Sequence, residues 1–149
     1  MYITTVKYEN YDGEPREMEC HFQLSEAEVV ELEVSWDGGL KAVLERIIQE
    51  HDQKRMVEMM KMLILKSYGK KSLDGNRFVK NQEIIDEFTQ TPAYSELFMM
   101  LSTDADVAAD FVNGIIPKKL NDRLKALEEN GKIKTLPGQA PVAAEVPKA

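Results

Sequence analysis

The sequence predicts an α+β fold that is mostly α: an N-terminal β-hairpin, a compact bundle of short helices and a disordered C-terminal tail. Three observations carry this expectation. Period-two alternation is confined to residues 2–23. Helical periodicity with capping signals runs from residue 25 to about 130. Beyond Gly131 the chain turns to prolines (Pro137, Pro141, Pro147) and small alanines, a composition that does not build a packed core. The expected organisation is one globular domain over 1–131 and a flexible tail over 132–149.

The first strand is read over residues 2–8, which are rich in β-branched and aromatic types, and Asp12-Gly13 supplies the turn. The second covers 16–23, where Met18, Cys20 and Phe22 alternate with Glu17, Glu19 and His21. Two strands alone are marginal, so the hairpin needs helices on its apolar face or a third strand.

Ser25 followed three residues later by Glu28 is a capping-box spacing and starts a helix over 26–35. Trp36-Asp37-Gly38-Gly39 breaks it. The next helix, 40–50, places Leu40, Val43, Leu44, Ile47 and Ile48 on one stripe. A third, 53–67, does the same with Met56, Met59, Met60, Leu63 and Ile64 and is expected to end at Gly69. Residues 70–76 read as a loop. Further helices are expected over 81–89, over 92–101 after a Thr91 cap with Pro92 in the first turn, over 103–113 ending at Asn113-Gly114, and over 118–129.

Composition narrows the function. The chain has 149 residues, 43% of them hydrophobic and 30% charged, and a formal net charge of −7. An acidic surface repels phosphate backbones, which argues against nucleic-acid partners. The densest basic run, Lys66, Lys70, Lys71, Arg77 and Lys80, is interrupted by Asp74 and reads as a solvated loop. No apolar stretch is long enough to span a bilayer, and the N-terminus lacks a signal-peptide pattern, so no membrane partner is expected. The single cysteine, Cys20, excludes an internal disulfide.

Catalytic and metal-binding motifs are not legible. Cys20 and His21 are neighbours on a strand and point to opposite faces. His51, beside Asp52, is the other histidine, and no spacing resembles a zinc site. Gly38-Gly39 lacks the further glycine and the Lys-Ser/Thr of a phosphate-binding loop, and no nucleophile elbow or His-Glu-x-x-His is present. Glu26, Glu28, Glu31 and Glu33 read as a solvated helix face. No enzyme activity and no cofactor are therefore expected.

The compositional oddity is eight methionines. Met56, Met59 and Met60 fall on a core-facing stripe. Met62 and one of Met99 and Met100 fall off theirs, and these three are the candidate partner-binding residues, because pliable apolar side chains suit adaptable contacts. The unpaired edge of the hairpin also permits association with a second copy.

Residues 77–117 carry a resemblance. Arg77-Phe78-Val79-Lys80, the run from Glu87 to Phe98 (EFTQTPAYSELF), Leu101-Ser102-Thr103-Asp104-Ala105 and Phe111-Val112-Asn113-Gly114-Ile115-Ile116-Pro117 are similar to a family of small proteins of tailed bacteriophages and prophages. Members with an assigned role are described as tail assembly chaperones of long, non-contractile tails. The resemblance implies a binding protein that engages the tape measure protein or tail tube subunits. It further implies action in the bacterial host cytoplasm, absence from the mature virion, and a longer form made by frameshifting. Two other readings remain. A structural tail component or adaptor would stay in the particle. A helix-turn-helix regulator would need basic residues on its recognition helix, whereas residues 103–113 carry Asp104, Asp106 and Asp110 and no lysine or arginine.

Overall fold

A computed structural model describes residues 1–117 and Leu120. The expected helix over 118–129, apart from Leu120, and the tail over 132–149 lie outside the described residues. Two strands open the chain, β1 (Tyr2–Glu9) and β2 (Pro15–Phe22). Helices α1 (Glu26–Ser35), α2 (Gly39–Gln49) and α3 (Gln53–Ser67) follow, then short strands β3 (Tyr68–Lys71) and β4 (Phe78–Val79). Helices α4 (Gln82–Thr89), α5 (Pro92–Thr103) and α6 (Ala105–Ile115) complete the described part. The fold is thus α+β and mostly helical, with the hairpin first, as the sequence predicts.

The described residues form two compact units, one of Met1–Gln23 and Val57–Ile115, the other of Leu24–Met56 with Ile116, Pro117 and Leu120. In the first, four antiparallel strands lie in the order β1-β2-β3-β4. β1 and β2 pair over their full length, Tyr2 opposite Phe22 and Glu9 opposite Pro15. Their turn is held by Asn10, whose side-chain oxygen accepts the N–H groups of Asp12 and Glu14 at 3.0 and 2.9 Å. The core is aromatic. Phe22 is fully buried and its ring lies within 6.2 Å, centroid to centroid, of Tyr2, Tyr68, Phe88 and Phe111. Tyr68 and Phe88 stack at 4.0 Å. α5 and α6 pack on β1, and α4 on β3.

Two glycines read as helix stops serve close approach instead. Gly69 sits in β3, where a Cβ would come within 2.8 Å of the Phe78 ring and 2.9 Å of the Val79 carbonyl. Gly114 lies inside α6, where a Cβ would meet the Tyr2 side chain at 3.0 Å. The loop expected over 70–76 is correspondingly shorter, because Lys70 and Lys71 pair with Val79 and Phe78. The α5–α6 boundary also moves. α5 continues through Thr103, and Asp104 caps α6 by accepting from Asp106 and Val107 N–H at 3.0 and 3.2 Å. Thr91 holds the N-cap position with Pro92 next, yet its hydroxyl donates back to the Phe88 carbonyl at 2.7 Å and caps nothing in α5.

The second unit contains a helical corner. α1 starts on the expected capping box: Glu28 N–H donates to Ser25 Oγ (3.1 Å), and Ser25 N–H donates to Glu28 Oε1 (2.8 Å). Gly38 and Gly39 turn the chain with φ of 82° and 85°. Glu33 sits inside the bend, 4% exposed, and accepts Leu40 N–H at 2.7 Å. It supplies a hydrogen-bond acceptor to the start of α2, whose first turn has no acidic residue of its own. A Cβ at position 39 would lie 2.5 Å from Glu33 Oε2, so the corner needs glycine for space as well as for its left-handed backbone. Glu33 therefore does not belong to the solvated glutamate face that its spacing predicts; burial against Gly39 and Leu40 makes it a core residue.

Candidate partner-binding surface

α5 shows how the first unit divides inside from outside. Ala93, Leu97 and Leu101, spaced by four, are buried. The opposite side carries Ser95, Glu96, Met99 and Ser102, all exposed. Met99 is 57% exposed and is the apolar member of that polar row. Met100, roughly 100° further round the helix, is partly buried. Met62, on α3, is also partly buried and is followed by fully buried Leu63. Of the three methionines singled out from sequence, Met99 is therefore the one that presents most of its side chain to solvent. Met60, from the core-facing stripe, is buried.

Other exposed apolar groups escaped the sequence reading. Ile3, 53% exposed, lies on the outer face of β1 beside Met1, because Tyr2, Thr4, Val6 and Tyr8 take the inner face. Tyr11 and Leu73 project from the tips of the β1–β2 and β3–β4 turns. The signal for Ile3 was present as an apolar residue out of phase with the strand's inner row. The turn-tip residues have no periodicity to reveal them.

Titratable groups in this unit are arranged for packing. Cys20 is buried, and burial, reinforced by Glu19, pushes its thiol up to about 11, so it stays protonated and poorly nucleophilic near neutrality. Burial likewise raises the Tyr68 hydroxyl to about 12, with Cys20 and Glu87 adding to the effect. His21 Nε2 lies 3.4 Å from Glu19 Oε1 at the surface. The basic run is engaged locally: Lys70 Nζ meets Glu87 Oε1 at 3.1 Å and Lys80 lies over the Phe78 ring at 5.7 Å. Among the described residues, no three His, Cys, Asp or Glu side chains gather in a way that could hold a metal ion, and no helix is long and apolar enough to cross a membrane.

The described residues present exposed apolar side chains, Met99 and Ile3 among them, on otherwise polar faces. The chain belongs to the phage tail assembly chaperone family, whose model matches residues 1–148. No curated protein and no solved structure matches it. Membership assigns it to tail assembly, a process of the infected host cell, with protein partners.

Proposed function

We propose that this chain binds the tape measure protein or tail tube subunits before the tail is built, masks their apolar surface, and is released without entering the virion. It works by reversible contact, not by chemical turnover. Family membership over residues 1–148 carries the reading. The exposed Met99, with Met62 and Met100 contributing at the margins of their helices, supplies adaptable apolar contact. The net charge of −7 keeps a complex with a greasy partner in solution.

Co-expression with each tail protein of the same phage tests this. The expected result is a soluble tape measure or tube protein that co-purifies with the chain, and purified particles that lack the chain. A tail protein equally soluble without it, or particles holding it at fixed stoichiometry, would favour a structural tail component instead.

A further inference from the structure

All eight methionines and the single cysteine lie among the described residues, and their access to solvent is sharply graded. Cys20 is fully buried and its thiol stays protonated, so it offers little to an oxidant. Met60 is buried, and Met18, Met56, Met59, Met62 and Met100 are partly buried. Met1 is 44% exposed and Met99 57%. Met99 is therefore the sulfur side chain most open to solvent.

Its surroundings suit a polar group as well as an apolar one. The packed side of α5 is Ala93, Leu97 and Leu101, and Met99 points the other way, where Ser95, Glu96 and Ser102 are exposed. A helical side chain leans toward the N-terminus, so the Met99 thioether lies over Ser95 and Glu96, four and three residues back. An oxygen added to that sulfur stays in water, with the Ser95 hydroxyl as a nearby donor. The same oxygen on Met60 would enter packed apolar surroundings and cost stability. Oxidation at Met99 thus alters the surface and spares the fold.

We infer that Met99 is a peroxide-reactive site and that its conversion to the sulfoxide releases the bound partner protein. The thioether sulfur attacks one oxygen of a hydroperoxide such as hydrogen peroxide. An S–O bond forms and the O–O bond breaks; sulfur loses two electrons, and the second oxygen leaves as water with both protons. A pliable apolar side chain becomes a polar one at the point of contact. This rests on the proposed role as a binding protein and adds a regulation of the same surface.

The test treats the full chain with dilute hydrogen peroxide, follows each methionine by peptide mass spectrometry over time, and then measures binding to the tape measure protein. Met99 should gain its oxygen ahead of Met62 and Met100 and far ahead of Met60, with the unfolding midpoint unchanged. Chain oxidised at Met99 should bind about tenfold more weakly. The two methionine sulfoxide reductases, one for each epimer, should restore binding. Met99→Leu keeps an apolar contact without an oxidisable sulfur, so its binding should survive the same treatment. Oxidation of Met62 or Met100 before Met99 would overturn the inference, as would equal losses in the natural chain and Met99→Leu. Undiminished binding by chain oxidised at Met99 would refute release and leave the proposed function standing. If the untreated chain binds no tail protein, the proposed function fails and release fails with it.

Discussion

The two units solve the same problem, closing a junction between elements, with opposite chemistry. The sheet unit closes around Phe22, whose ring touches side chains from β1, β3, α4 and α6. The helical corner closes around a carboxylate, Glu33, one oxygen of which accepts Leu40 N–H while the other finds no hydrogen-bond partner among the described residues. An apolar junction is indifferent to pH and fails only when volume is removed. A polar junction is directional, and its strength follows its protonation. The difference predicts that the sheet unit is the sturdier part and that the corner is tunable.

The largest expected effect is on the aromatic side of that comparison. Phe22→Ala should cost about 3–5 kcal/mol in urea unfolding, with the same loss at pH 5 and pH 7; a loss under about 1 kcal/mol would mean that the ring cluster does not organise the unit. On the corner side, Ser25→Ala removes one half of the α1 capping box and should cost about 1 kcal/mol. A cost that vanished would show that packing, not the cap, starts α1.

Glu33→Gln sharpens the contrast further. Burial raises the Glu33 carboxyl above its ordinary range, and the Leu40 hydrogen bond only partly opposes this. The folded state therefore holds the proton more tightly than the unfolded chain. This group's contribution is fully present below the ordinary carboxyl pKa and is lost as pH rises through the raised value. Glutamine keeps an acceptor for Leu40 and does not titrate. Its stability relative to the natural residue should accordingly improve between about pH 4 and pH 7. A relative stability that falls over that interval would mean that the charged carboxylate stabilises the corner. The smallest expected effect on stability is Met99→Glu, within about 0.5 kcal/mol at an exposed site.

The hairpin, the helix of 26–35 with its capping box and the helix of 53–67 were legible because each rests on local signals: alternation, a cap and an apolar stripe. What escaped the sequence depends on distant partners. Gly69 and Gly114 look like stops until Phe78 and Tyr2 come into position against them. Glu33 reads as one glutamate among several until the Gly38-Gly39 bend brings α2 back to it. β3 and β4 are too short, at four and two residues, to show a period of their own. On the surface, the sequence shows that one of Met99 and Met100 must break the helical stripe, and only the fold shows that Met99 is the more exposed of the two.

The central claim is that the molecule acts by covering apolar surface of a tail protein. The most direct measurement is co-purification of the tape measure protein with the natural chain and with a Met62→Glu, Met99→Glu, Met100→Glu variant, at matched unfolding midpoints. The account predicts that the folded variant loses the tape measure protein. Undiminished recovery with a folded variant would contradict it.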